Sequence, residues 1–99
     1  MNITTTNENS LTTIAVDGRL DTMTAPELTV EIDKVAPDSN KIILDVSQLE
    51  YISSAGIRAL VTAHKLMSKK GGFTVKAPNE NVMEIIKLTG LTAVLDIVE

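Results

Sequence analysis

The sequence has no cysteine and no tryptophan, and its only aromatic side chains belong to Tyr51 and Phe73. Without cysteine there are no disulfides, thiolate nucleophiles or cysteine-based zinc sites, which fits a reducing compartment. With two aromatic residues there is no platform on which nucleic-acid bases could stack. A formal net charge of −4 also argues against nucleic acid as a partner, because nucleic acid binds clusters of Lys and Arg.

Long apolar runs are missing as well. The longest cover only a few residues, whereas a membrane-spanning helix needs about 20. Residues 1–6 contain neither a basic region nor an apolar core, so we expect no signal peptide. With 99 residues, the chain is expected to form one domain over residues 1–99 and to lie in the cytoplasm.

Turn, cap and periodicity signals divide the chain into alternating strands and helices. The predicted order is β-β-α-β-α-β-α, followed by a tail over 94–98 in which periodicity does not separate a strand from a helix. The predicted strands cover residues 3–7, 11–16, 41–46 and 73–77. The predicted helices follow Thr24, span 55–70 and follow Asn79. Because helices alternate with strands, we expect an α/β fold in which an N-terminal hairpin joins an otherwise mostly parallel sheet.

Several local features give more specific predictions. The Thr-rich first strand is expected at a polar edge of the sheet, and Asp17-Gly18 is expected to end the second strand. Thr24 is predicted to cap the first helix in a capping box with Glu27. The nearly continuous apolar run at 41–46 predicts a strand that is covered on both faces. Gly90 is expected to end the third helix.

No arrangement of residues in the sequence indicates catalysis or metal binding. A triad of Ser54, His64 and Asp45 fails, because His64 lies ten residues along the helix from Ser54, about 15 Å along its axis. A single histidine leaves carboxylates as the remaining metal ligands, and these lack the spacing of a calcium loop. No glycine-rich loop ends in Gly-Lys-Ser/Thr, so no phosphate-binding P-loop is predicted. We therefore predict no catalytic residue, no metal and no cofactor.

Ser53 and Ser54 stand between a strand and the longest predicted helix, which places them at a helix N-terminus. Backbone N–H groups lack partners there and the helix dipole is positive, so the position favours negative charge, including a phosphate. A serine at this point can be a simple cap, an anion contact or a phosphorylation switch. Taken alone, these two residues leave the three alternatives open, with capping the commonest.

A succession of motifs is more specific than any of its parts. Gly18-Arg19-Leu20-Asp21 precedes a helix with Thr24 at its start, Ile43–Ser47 belongs to a strand, and Tyr51–Ile57 contains a Ser-x-Gly loop. From about Leu11 to Val98, the chain resembles the STAS-domain family, and within it the bacterial anti-sigma factor antagonists. The resemblance implies a single domain with a small mixed β-sheet and helices packed on one side.

The same resemblance assigns roles to individual residues. In that family the loop commonly reads Asp-Ser-Ser/Thr/Ala-Gly, and the first Ser after the Asp is phosphorylated by an anti-sigma factor that is also a kinase. Carried over, Ser54 is the phosphoacceptor and Gly56 the matching glycine. Ser53 occupies the place of the family Asp and is an alternate acceptor. The implied partner-binding residues are Asp21, Thr22, Ser53, Ser54, Ala55, Gly56, Ile57 and Arg58.

The function implied by the resemblance is a partner switch rather than an enzyme. The unphosphorylated domain would bind an anti-sigma factor with serine kinase activity, and phosphorylation of Ser54 would release it until a serine phosphatase removed the phosphate. The free protein is expected to be a monomer that binds neither nucleic acid nor membrane. The alternative is a STAS subunit that acts as a protein-interaction module in an ABC-type lipid-transport complex or a stress-sensing complex.

Overall fold

Five strands form one sheet in the computed structural model, which describes residues 1–99. The strands are β1 (Asn2–Glu8), β2 (Leu11–Leu20), β3 (Lys41–Ile52), β4 (Phe73–Lys76) and β5 (Asp96–Val98). The helices are α1 (Ala25–Val35), α2 (Ser54–Met67) and α3 (Glu80–Leu88), with short 3₁₀ helices at Ala36–Asp38 and Leu91–Ala93. β1 pairs antiparallel with β2, and β2 to β5 pair in chain order as parallel strands. This confirms the predicted hairpin with β1 at an edge, and it shows that the tail contains a strand.

The core lies on one face of the sheet. In β3, Ile42, Leu44 and Val46 are buried, whereas the alternating Ile43 and Asp45 are only half-buried. The three helices contribute their apolar residues to the same cluster of 22 buried side chains as the strands do. The predicted α/β fold with helices on one side is therefore confirmed. The expectation that β3 is covered on both faces was wrong, because Ile43 and Asp45, which face away from the core, are only half-buried.

β2 and β3 run further than the sequence predicted. Asp17-Gly18 does not end β2, because Gly18 adopts a φ of +114° within the strand and the pairing with β3 shifts register there. Glycine tolerates such a φ at little cost, so the turn signal marks a β-bulge instead. The strands then continue side by side until Leu20 pairs with Ile52. As a result, the two chain segments that follow these strands leave the sheet next to each other.

Of the cap signals named for α1 and α3, the two that bound α3 behave as expected, and α2 ends at Met67, three residues earlier than predicted. Asn79 caps α3 by accepting a hydrogen bond from the Val82 N–H at 2.8 Å, and Gly90 follows α3 with a left-handed φ of +76°. The capping box at α1 was wrong, because Thr24 makes no side-chain cap and its hydroxyl is bound within the preceding turn. None of the helices is long and apolar enough to span a membrane.

Candidate partner-binding site

The ends of β2 and β3 bring the two predicted site segments together. Leu20 pairs with Ile52, and the next residue on β3's side, Ser53, donates its N–H to the Leu20 carbonyl at 2.9 Å. Parallel strands end at the same edge of a sheet, so Asp21 and Ser53 follow directly from neighbouring strand ends. The sequence places these residues some 30 positions apart, and the fold makes them one site.

Gly56 allows the first turn of α2 to pack directly on β2 and β3. A Cβ at this position would lie 2.7 Å from the Ile52 side chain and 2.9 Å from both the Leu20 side chain and the Leu20 carbonyl oxygen. Real Cβ atoms do not make contacts this short, because packed interiors leave no room for them. The glycine of the Ser-x-Gly motif is therefore needed for close approach of the loop to the Leu20 turn.

The two serines occupy different environments. Ser53 is half-buried and is the N-cap of α2, where its hydroxyl accepts a long hydrogen bond of 3.4 Å from the Gly56 N–H. Ser54 is the first residue of the helix, is exposed and takes no part in the cap. The first turn of α2 contains no acidic side chain, so the positive end of its dipole is not offset by a carboxylate from within that turn. Ser54 thus presents a free hydroxyl where added negative charge is favoured.

The Asp21 turn is closed by a network of short hydrogen bonds. One carboxylate oxygen accepts bonds from the Met23 N–H at 3.0 Å and the Thr24 N–H at 3.1 Å. The Thr24 hydroxyl accepts from the Asp21 N–H at 2.9 Å and donates to the Arg19 carbonyl at 2.7 Å. Partial loss of solvent raises the pKa of Asp21, but these bonds and the Arg19 guanidinium together bring it below its ordinary value. The carboxylate is therefore ionised at neutral pH.

Protonation of Asp21 is expected to weaken this turn. Because the folded-state pKa is lowered, the ionised carboxylate contributes stability that is fully present above the usual aspartate pKa of about 4 and is lost as the pH falls through the lowered value. Thermal melts of wild type and Asp21→Asn should therefore differ most at neutral pH and converge in acid. A difference in Tm that does not shrink below about pH 4 would contradict this role of the charge.

A shallow groove connects the two segments across the starts of α1 and α2. Its lining includes Thr22 from the Asp21 turn and Ala55 and Arg58 from α2, and its volume is about 460 Å³. Val30 of α1 also lines it with 67% of its surface exposed, and nearby Met23 in the turn is 82% exposed. These two apolar side chains were not anticipated from sequence. The available signal was that Val30 falls outside the buried stripe of α1.

The predicted partner-binding residues divide by exposure. Thr22, Ser54 and Arg58 are exposed, and Asp21, Ser53 and Ala55 are half-buried. Gly56 and Ile57 are buried, so they support the loop and do not offer side chains to a partner. The surface that remains available combines the hydroxyls of Thr22 and Ser54, the half-buried Asp21 carboxylate and the Arg58 guanidinium around an apolar groove. This chemistry is suited to contact with a protein.

Asp45, the third member of the rejected triad, has its own partners. Its carboxylate accepts a hydrogen bond from the Ser47 N–H at 2.9 Å. This bond lowers the pKa of Asp45 against the opposing effect of burial, and Lys76 on β4, which pairs with Asp45, adds to the lowering. Asp45 is therefore engaged within the sheet, seven residues before the end of β3.

Comparison with known proteins gives consistent matches over the whole chain. The family model described as the STAS domain matches residues 2–99. The anti-sigma-B factor antagonist of Bacillus subtilis is 27% identical over 93 residues, which cover 92% of this chain and 84% of that protein. The crystal structure of an anti-sigma factor antagonist from Mycobacterium paratuberculosis matches with a TM-score of 0.89 at 26% identity, covering 98% of this chain and 84% of that one.

A more distant structural match extends the likeness in fold. The anti-sigma factor antagonist SpoIIAA in its unphosphorylated form matches with a TM-score of 0.83 at 15% identity, over 99% of this chain and 89% of that chain. The phosphorylated form of SpoIIAA, from Bacillus, matches with a TM-score of 0.75 at 14% identity, over 99% of this chain and 92% of that chain. At these identities the likeness shows the fold alone. The shared fold is a five-stranded mixed sheet with three helices.

Proposed function

Because this chain belongs to the STAS-domain family, we propose that it is an anti-sigma factor antagonist whose binding is controlled by phosphorylation of Ser54. In the unmodified state it binds an anti-sigma factor that is also a serine kinase, and this frees a sigma factor. Phosphorylation of Ser54 releases the anti-sigma factor, and a serine phosphatase restores the unmodified form that binds it. The protein acts in the cytoplasm as a ligand and a substrate, and catalyses no reaction itself.

The observation that carries this proposal is the exposed Ser54 hydroxyl at the start of α2, beside the Asp21 turn. A phosphate adds a charge of about −1.5 to −2 at neutral pH. The N-terminus of α2 favours that charge through its dipole and its unpaired N–H groups. The fold should therefore tolerate the modification, so that the switch acts on binding and not on folding.

Although the fold tolerates the phosphate, a complex with a partner that covers the loop would be destabilised by it. Docking over Ser54 removes water from the phosphate and brings the partner against both the new dianion and the ionised Asp21 carboxylate. An uncompensated buried charge costs several kcal/mol, and like charges add to that cost. The complex is weakened unless the partner supplies Arg or Lys. Phosphorylation of Ser54 alone would therefore lower the affinity of this surface for the partner.

A difference in exposure supports Ser54 over Ser53 as the phosphoacceptor. The Ser53 hydroxyl is half-buried in the cap of α2, whereas the Ser54 hydroxyl is exposed. Incubation with the cognate kinase and ATP should therefore place phosphate on Ser54, as mapped by mass spectrometry. The Ser54→Ala variant should remain unmodified.

Ser53→Asp is the matched control for this experiment. Asp caps a helix as well as Ser does and restores the residue that is common in the family, but it cannot accept a phosphate. We expect this variant to be phosphorylated on Ser54 like the wild type. Phosphate found on Ser53 in the wild type and lost in Ser53→Asp would overturn the assignment.

A further inference from the structure

The half of β3 that leads to the Ser54 loop lacks a strand on one side. β4 pairs with β3 only from Ile42 to Asp45, and after Lys76 the chain turns away at Ala77, which has a φ of +59°. Beyond Asp45, β3 therefore pairs with β2 alone. Unpaired N–H and C=O groups of a strand cost free energy when they are shielded from water. When they are exposed to water, no neighbouring strand holds the backbone in place. Something other than β4 must fix this segment.

Two asparagine side chains at the start of α3 form hydrogen bonds with this unpaired part of β3. The Asn79 Nδ2 donates to the Leu49 carbonyl at 2.8 Å, and the Asn81 Nδ2 donates to the Glu50 carbonyl at 3.2 Å. Both acceptors lie in the part of β3 that β4 does not reach, and Glu50 is three residues before Ser53. The side-chain amides thus take over the role of a neighbouring strand.

A β-bulge at the same point explains why two adjacent carbonyls need partners. Gly18 pairs with Leu49, but Arg19 pairs with Tyr51, so Glu50 is an extra residue that the β2 ladder skips. The extra residue of a bulge is left without its ladder partner. Asn81 supplies that partner, and Asn79 secures the residue before it.

We propose that Asn79 and Asn81 are positioning residues of the Ser54 loop, through which α3 holds the end of β3 in the geometry that a partner recognises. The consequence for binding rests on the proposed function, but the effect on the loop does not and can be measured on the protein alone. The link is short: the bonds fix Leu49 and Glu50, and Ser53 follows with its N–H on the Leu20 carbonyl.

Aspartate substitutions separate this role from the capping of α3. The Asn79 Oδ1 accepts a bond from the Val82 N–H as the N-cap of α3, and Asp caps equally well. Asn81 is exposed in the first turn of α3, where a carboxylate is favourable to the helix dipole. Asn79→Asp and Asn81→Asp therefore keep or strengthen α3 but remove both donors to β3. If Asn79 and Asn81 served only to stabilise α3, these substitutions would leave the Ser54 loop unchanged.

The test is amide hydrogen exchange, followed by NMR, of the double variant Asn79→Asp/Asn81→Asp. The Ser53 amide should exchange about tenfold faster than in wild type, as expected from the loss of two hydrogen bonds. The carboxylates at the N-terminus of α3 stabilise the helix and offset the bonds lost at β3, so the Tm should stay close to that of wild type. The Leu44 amide in the centre of β3 should therefore exchange at close to the wild-type rate. A neutral pair, Asn79→Ser/Asn81→Ala, should show the same faster exchange at Ser53, which excludes charge repulsion as its cause.

Two results would overturn the positioning role: an unchanged Ser53 rate, or rates at Ser53 and Leu44 that rise together. Titration of the double variant with the anti-sigma factor tests the functional consequence, and its affinity should be about tenfold lower than that of wild type. Faster exchange at Ser53 with unchanged affinity would overturn the role in binding. Failure of the wild type itself to bind would count against the proposed function and would leave the exchange result standing.

Discussion

Replacing Gly56 with alanine is expected to lower the free energy of unfolding by about 1–3 kcal/mol, the usual cost of forcing extra atoms into a packed region. The added methyl group would lie 2.9 Å from the Leu20 carbonyl oxygen, which is backbone and cannot move without disturbing β2. Alanine gains up to about 1 kcal/mol in helix propensity over glycine, so a net loss shows that the close approach dominates.

Urea denaturation of wild type and Gly56→Ala measures this difference directly. Ser54→Ala is the matched control, because it lies in the same helical turn, is exposed and adds no atoms, and it should change stability by no more than about 0.5 kcal/mol. An alanine variant that is as stable as wild type, or more so, would mean that α2 does not pack against Leu20 as closely as described. The contact between the two halves of the site would then be in doubt.

The second large effect is expected on binding. Ser54→Asp should weaken the complex with the anti-sigma factor by about tenfold or more, because a buried unpaired carboxylate costs at least 1–2 kcal/mol. Ser54→Ala should stay within about threefold of wild type, since it removes only an exposed hydroxyl. Isothermal titration calorimetry against the same partner compares the three proteins.

Ser54→Asn is the control that separates charge from size. Asparagine has nearly the shape of aspartate but no charge, so its affinity should lie close to that of Ser54→Ala. Thermal melts should show that all three variants remain folded, with Ser54→Asp within about 1 kcal/mol of wild type because the helix end accepts a carboxylate. Equal losses for Asn and Asp would indicate a steric effect and would contradict an electrostatic switch.

Local signals in the sequence were sufficient for the order of the elements and for both ends of α3. Asn79 before an amphipathic segment and Gly90 after it correctly marked α3, because caps depend on neighbouring residues only. The site could be located because its segments directly follow two strands that pair in parallel. The resemblance to the STAS family supplied the proposed role of Ser54, which capping chemistry alone had left open.

The errors arose where distant residues decide the local structure. Asp17-Gly18 has the composition of a turn, but pairing with β3 keeps the chain in the sheet and turns the glycine into a bulge. Thr24 followed by Glu27 has the spacing of a capping box, but the Asp21 carboxylate accepts from the Thr24 N–H. The Thr24 hydroxyl is bound to the Asp21 N–H and the Arg19 carbonyl instead of capping α1. A run of apolar residues in β3 does not reveal which face the helices cover, and this depends on the packing of the whole chain.

The bonds from Asn79 and Asn81 to β3 could not be read from the sequence at all. They join residues about 30 positions apart, and each amide could equally have faced solvent. They become visible only when β4 is seen to end at Lys76 while β3 continues to Ile52. Positioning residues of this kind depend on the lengths of neighbouring strands, which single-sequence patterns determine poorly.

The central claim is that phosphate on Ser54 controls binding, and calorimetry with the natural modification tests it most directly. Wild-type protein, phosphorylated on Ser54 and verified by mass spectrometry, is titrated with the anti-sigma factor beside the unmodified protein. The account predicts that the unmodified form binds, that the phosphorylated form binds at least about tenfold more weakly, and that phosphatase treatment restores the affinity. Equal affinity for the two forms would contradict it, would make Ser54 an ordinary first residue of a helix, and would favour the alternative of an interaction module in a transport or stress-sensing complex.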